Sequence, residues 1–247
     1  MENFESQQLT SQLVELCKES GLQLTEDQCG LMVRHLDLVI EKNKVMNLTR
    51  ILEPSEALVL HCLDSLLPLL FIGPEIGSQS AVFDLGTGAG FPGIPLGIVT
   101  GAKCTLLDSV GKKIAAVNEF AQDLGLNRVK GVHARVEEFA LKNCEKYDFV
   151  FARAVAQSNV LVEYASPLLK LGGKLVLEKA NPSVQEINAA SRAAKICGMH
   201  FVSRETFDLP NNLGHREILI YKKTRKPSIQ LPRKNGQAKN DPLGLKE

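Results

Sequence analysis

The chain has 247 residues, 44% of them hydrophobic, which suits one sizeable domain with an appendage and supplies a real core. No apolar run reaches the roughly 20 residues of a membrane span, and the start Met1-Glu2-Asn3-Phe4-Glu5 lacks the basic opening and continuous apolar segment of a secretory signal, so a cytoplasmic protein without membrane contact is expected. The formal net charge is only +1, but residues 222–247 carry eight basic side chains against Asp241 and Glu247, leaving 21 basic and 26 acidic residues in 1–221: a mildly acidic body and a basic tail.

Leu9, Leu13, Leu16 and Cys17 recur at helical spacing, with Gly21 as a stop. Thr25-Glu26-Asp27-Gln28 reads as a capping box before a helix that turns Leu36, Val39 and Ile40 inward and ends near Asn43. After the polar break Asn47-Leu48-Thr49-Arg50, Pro54-Ser55-Glu56 starts a third helix, with Val59, Leu63, Leu66, Leu67 and Leu70 on its buried face and Gly73-Pro74 as its end. No strand pattern interrupts these helices, and residues 1–77 read as a helical N-terminal extension.

From Ala81 the pattern alternates. Strands are predicted at 81–85, 103–108, 128–133, 147–152, 174–178, 201–207 and 217–221, with helices over 112–124, around 136–141, through Leu161 and Leu168, and over 182–197. Such alternation means an α/β domain over 78–222, with a mostly parallel seven-stranded sheet and helices on both faces. Ligands of these sheets bind at the carboxyl ends of the strands. The tail, 223–247, has three prolines, two glycines and few large apolar residues, so it is expected to be disordered or laid on a partner.

The most informative stretch is Val82-Phe83-Asp84-Leu85-Gly86-Thr87-Gly88-Ala89-Gly90-Phe91-Pro92-Gly93. A strand runs into a glycine turn whose bare backbone can approach a ligand, and Pro92 pre-sets φ for the helix that follows. Gly88 to Gly93 also spells the dinucleotide fingerprint, a weak signal by itself that keeps an NAD(P)-dependent oxidoreductase open. The Asp-x-Gly-x-Gly-x-Gly order favours S-adenosylmethionine instead, because the Asp84 carboxylate would attract an amino acid's ammonium and repel a pyrophosphate.

Asp108, at the end of the second strand, stands where an acid meets ribose hydroxyls, or it caps the next helix. Val136 and Glu137 follow the third strand, where they could wall an adenine, although a first-turn glutamate also suits the helix dipole. Arg153, at the mouth of an apolar strand, could hold a carboxylate or phosphate, or form a structural ion pair. His61, Asp64 and Ser65 share one face of the third helix, away from the leucines, which by spacing alone reads as a solvated polar face. His133, His200 and His215 are dispersed, and Cys17, Cys29, Cys62, Cys104, Cys144 and Cys197 contain no Cys-x-x-Cys pair, so no metal site is expected and the thiols should be reduced and partly buried.

Together these segments resemble the RsmG (GidB) family of bacterial 16S ribosomal RNA guanine-N7 methyltransferases. The resemblance runs through Asn47-Leu48-Thr49, His61-x-x-Asp64-Ser65, the glycine segment with its Phe91-Pro92-Gly93-Ile94-Pro95 ending, Thr105 to Ser109, Arg135-Val136-Glu137-Glu138, Arg153-Ala154-Val155-Ala156 and the tail Leu231-Pro232-Arg233-Lys234-Asn235-Gly236. It implies a Rossmann-like class I methyltransferase using S-adenosylmethionine on 16S ribosomal RNA or the small ribosomal subunit. The site implied has Gly86, Gly88, Phe91, Asp108, Val136, Glu137 and Arg153 around the cofactor. Asn47, His61, Asp64, Arg153, Lys179, Arg233 and Lys234 face the substrate, and no general base is needed. A monomer is expected, and the basic tail is read as a source of phosphate contacts or as merely solubilising. A non-catalytic ribosome-assembly factor of the same fold is the other alternative. Two departures are visible: Leu177-Glu178-Lys179-Ala180 replaces the family's usual Lys-Gly ending of strand five while keeping the lysine, and Ala238 stands where proline is usual.

Overall fold

A computed structural model describes residues 3–245; Met1, Glu2 and Glu247, named above in the reading of the two termini, and Lys246, one of the eight basic residues counted there, lie outside them. Helices α1 (Asn3–Glu19) and α2 (Glu26–Asn43) come first. The α2 capping box is complete: the Thr25 side chain accepts from the Gln28 N–H and the Gln28 side chain from the Thr25 N–H.

The third helix is not continuous. α3 (Pro54–Ala57) passes into a π-helical turn, Leu58–Leu63, then into turns, and helix α4 (Leu69–Ile72) starts after Pro68. Pro68 has no N–H to give an uninterrupted helix, and the wider turn rotates the following residues. His61, Asp64 and Ser65 are therefore buried, not a solvated face.

Strands β1 (Ala81–Leu85), β2 (Lys103–Asp108), β3 (Val129–His133), β4 (Tyr147–Arg153), β5 (Leu169–Lys179), β6 (Met199–Asp208) and β7 (His215–Lys223) form one sheet. Its order is β3-β2-β1-β4-β5-β7-β6, parallel except at β7, which runs antiparallel to both neighbours. Helices α5 (Gly93–Thr100), α6 (Gly111–Asp123), α7 (Val136–Lys142), α8 (Ser158–Ala165) and α9 (Val184–Ile196) connect the strands. Strands five to seven are longer than their apolar runs suggest, because paired ladders carry polar residues outward at alternate positions.

Alternate strand residues divide the core in two. Val82, Leu106, Phe151 and Val176 face α5 and α6 together with Leu13, Leu36, Leu58 and Leu63 of the N-terminal helices. Phe83, Leu107, Val150 and Leu177 face α7, α8 and α9. The N-terminal segment thus completes one layer of the domain.

The tail, expected to be disordered or laid on a partner, lies along its own chain. The Arg233 guanidinium grips the buried Glu163 through Nε at 2.7 Å and Nη2 at 2.6 Å. Asn159 donates to the Leu243 carbonyl at 2.8 Å, Arg192 to the Gly244 carbonyl at 2.7 Å, and Ala238 of helix α10 (Gln237–Asn240) is buried in the second core. Few apolar side chains suffice, because the tail adds one layer to an existing core.

Among the described residues no helix is long and apolar enough to cross a membrane, and no group of three or more His, Cys, Asp or Glu could hold a metal ion. Five cysteines are buried and free, and Cys144 is exposed and free.

Candidate functional site

A cavity of about 400 Å³ opens at the carboxyl ends of β1, β2 and β4. Gly86, Gly88, Phe91, Asp108, Val136, Glu137 and Arg153 all line it. Gly86 adopts φ +79, and a Cβ there would stand 2.5 Å from Val155, so glycine alone fits the turn. Asp108 accepts the Gly88 N–H at 3.2 Å and the Val110 N–H at 2.9 Å, which leaves it on the cavity wall and bracing the loop rather than capping α6, whose N-cap is Val110. The Glu137 carboxylate accepts the Gly236 N–H at 2.9 Å, so the tail holds this wall in place.

Asp84 lies beneath the loop and does not stand ready for a ligand's ammonium. It is wholly buried, its Oδ2 accepts the Gly93 N–H at 2.9 Å at the start of α5, and burial raises its pKa to about 6. This also bears on a dinucleotide. A helix N-terminus attracts a pyrophosphate through its free N–H groups, and here Asp84 already occupies that position.

The N-terminal helices reach the loop through its aromatic residue. His35 Nε2 donates to the Ala89 carbonyl at 3.0 Å, and its ring lies 4.5 Å from Phe91. The His61 ring stacks on Phe91 at 4.6 Å and 12°, and its Nε2 lies 2.9 Å from Thr49 Oγ1. Burial and the nearby Arg153 hold the His61 imidazole down at about 4, so it is neutral at pH 7.

Arg153 sits on the border. Its Nη1 donates to Asp64 at 3.2 Å and to the Leu60 carbonyl at 3.1 Å, and the guanidinium carbon lies 5.8 Å from the Phe91 ring centroid. With His61 and Ala154, whose φ is +54, it lines both the first cavity and a second one of about 390 Å³. A non-glycine residue in that conformation is strained. Asp64, Glu178, Lys179 and Arg216 also line the second cavity, with Arg216 Nε 3.0 Å from each Asp64 oxygen.

The remaining expected residues fall differently. Lys179 lines the second cavity, but its Nζ donates to the Ala156 carbonyl at 3.0 Å and pairs with Glu186 at 2.7 Å. Asn47 is exposed, while its neighbours Leu48 and Thr49 are the ones on the first cavity's wall. Arg233 is spent on Glu163 and Lys234 is exposed on the tail, so neither is brought to the cavities. Among the residues that escaped the sequence reading are His35; Arg216; Lys113, Tyr164 and Lys239 on the first cavity's wall; and Glu178, singled out there only as a departure. Only His35 carried a signal, since it shares the inward stripe of α2 with Met32, Leu36 and Val39.

The strand order and the cavity at the carboxyl ends of the central strands define a Rossmann-like α/β protein of the methyltransferase class. Residues 28–213 match the family described as GidB, rRNA small subunit methyltransferase G. Ribosomal RNA small subunit methyltransferase G of Desulforamulus reducens is 38% identical over 95% of this chain and 98% of that protein, and that of Oenococcus oeni is 37% identical over the same shares. The fold is also that of a solved structure, the Burkholderia thailandensis 1,6-didemethyltoxoflavin-N1-methyltransferase with bound 1,6-didemethyltoxoflavin and S-adenosylhomocysteine. It is 16% identical, with a TM-score of 0.54, and covers 78% of this chain and 90% of that one. The chain belongs to the GidB family.

Proposed function

We propose that this protein transfers the methyl group of S-adenosylmethionine to N7 of a guanine in 16S ribosomal RNA, acting in the cytoplasm as a monomer on the RNA or the small ribosomal subunit. The observation that carries the reading is the pair of adjoining cavities, one walled by the glycine loop and Asp108 and one beyond it, sharing His61, Arg153 and Ala154. One suits a donor and the other an acceptor.

The first cavity fits the donor. Gly86 and Gly88 leave bare backbone at positive φ, Asp108 offers a carboxylate to vicinal hydroxyls, and Phe91 and Val136 give apolar walls for a base. When bound, S-adenosylmethionine supplies a methyl group on a cationic sulfur. Guanine N7 has a lone pair in the ring plane, so its attack needs no prior proton removal, and the residues here have only to position and to tune charge. His61 is neutral and adds no positive charge beside the reacting groups, while Asp64 offsets Arg153 and Arg216. Arg153 positions the donor or an RNA phosphate and is not an acid-base group.

Transfer of a labelled methyl group from S-adenosylmethionine to purified small-subunit RNA, with mapping of the modified base, tests the reading. The expected result is one 7-methylguanine, with loss of both donor affinity and transfer in Arg153→Ala. Binding without turnover would identify an assembly factor, and tight binding of NADH in place of S-adenosylmethionine would identify an oxidoreductase.

A further inference from the structure

Among the described residues, Glu178 is a buried acid with neither side-chain oxygen satisfied. The residue is 4% exposed, and both carboxylate oxygens lack any hydrogen-bond partner. Buried carboxylates are normally paired. Cations are close at hand, yet each is committed elsewhere. Arg153, its register partner across β4 and β5, turns to Asp64 and the Leu60 carbonyl; Arg216 takes both Asp64 oxygens; and Lys179 goes to Ala156 and Glu186. The residue lines the second cavity with Ile51, Leu60 and Ala180, while its two oxygens are closed off from water, so a base in the cavity meets them once the side chain turns toward it.

We infer that Glu178 selects guanine in the second cavity, its two carboxylate oxygens accepting the N1–H and the 2-amino N–H of the target base. This rests on the methyl-transfer reading above. Among the four RNA bases only guanine presents two adjacent donors on its Watson–Crick edge, and a carboxylate accepts such a pair side by side. Adenine, cytosine and uracil each set at least one acceptor against the acid, which costs a desolvated repulsive contact. In the purine, N7 lies on the edge away from N1 and N2, so a base held there keeps its nucleophilic atom clear of the acid.

The same contact strengthens during transfer. The N7 lone pair forms the new N–C bond as the S–C bond breaks, no proton moves, and the positive charge passes from sulfur to the purine. As the ring becomes cationic its N–H groups become better donors, so the Glu178 carboxylate binds the transition state more tightly than the ground state. Burial, together with Asp64 and Asp84, holds the Glu178 carboxyl well above the ordinary range, against the pull of Arg153 and Arg216, so the acid gives up its proton to water as the base binds and before the methyl group moves. Donors from a bound base supply what that desolvated group lacks.

The test uses the full chain with Glu178→Gln and Glu178→Leu. Methyl transfer is measured to RNA carrying guanine or inosine, which lacks the 2-amino group, at the mapped position. Binding of guanosine and inosine 5′-monophosphates is followed separately by NMR. The wild-type protein should prefer guanine by roughly tenfold or more in both measurements, the worth of one hydrogen bond to a charged group. Both variants should lose that preference while keeping S-adenosylmethionine affinity and melting temperature, since they remove an unpaired buried acid. Retained guanine preference in both variants, or a fall in melting temperature and donor affinity along with rate, overturns the assignment. If the wild-type protein methylates no RNA, the proposed function fails; the nucleotide titrations still decide Glu178, and equal binding of the two nucleotides would count against it.

Discussion

His35 ties the sequence-distant halves of the site together, and its protonation state can be checked. Its Nε2 donates to the Ala89 carbonyl, and burial pushes its pKa down to about 3, with His61 at about 4. Both folded values lie below the ordinary 6.5, so the stability they contribute is present above pH 6.5 and is lost as pH falls toward 4 and 3. Asp84 has the opposite sign: raised from 3.8 to about 6, it contributes stability below 3.8 that is lost as pH rises through about 6. His35→Gln should therefore flatten the loss of unfolding free energy between pH 7 and 5, by up to about 1.4 kcal/mol per pH unit, and Asp84→Asn should steepen it. Urea unfolding at stepped pH reads both slopes; an unchanged slope in His35→Gln would mean the histidine is not buried neutral. The capping box and the glycine turn were legible because their partners lie within a few positions. The deeper role of Asp84 was not, since nothing local distinguishes an acid facing a ligand from one holding a helix N-terminus.

At the scale of the element, the segment from Pro54 to Ile72 decides where the second cavity forms. A regular helix would carry Asp64 on an outer face. The π-helical turn and the break at Pro68 place it instead between Arg153 and Arg216, with side chains only 14% and 18% exposed around an acid at 5%. Removing one member of a buried ion cluster leaves the others uncompensated. Asp64→Asn should lower the unfolding free energy by about 3 kcal/mol, measured by urea denaturation. A loss below about 0.5 kcal/mol, the size of an ordinary surface change, would mean that the arginines re-pair, Glu178 being the acid at hand. Pro68 is the signal in the sequence that the leucine periodicity outweighed.

At the scale of the whole molecule, the tail changes its expected role. A free basic arm would serve RNA alone, and its deletion would spare the donor site. Here Gly236 braces Glu137, Lys239 joins the first cavity's wall, and Arg233 neutralises a buried glutamate. Deleting residues 224–247 should lower the melting temperature by several degrees, as the loss of a buried ion pair in a chain of this size does. It should also weaken S-adenosylmethionine binding. Calorimetry and a donor titration on the truncated chain check both, and a truncated protein with full thermal stability and donor affinity would return the tail to a purely RNA-facing role.

The sequence by itself determined the α/β alternation, the glycine turn at the end of β1 and the position of Asp108, Val136, Glu137 and Arg153 just past the strand ends that wall the first cavity, because strand periodicity and turn chemistry are local and each strand hands its last residues to the same edge. Tertiary structure alone decided the second cavity. Asp64 and Arg216 meet across 152 positions, Arg153 and Asp64 across 89, and Arg233 and Glu163 across 70. Which distant charges pair, and that Glu178 is left buried without a hydrogen-bond partner among the described residues, depends on how the N-terminal helices and the tail pack on the two faces of the sheet, and no local pattern encodes that packing.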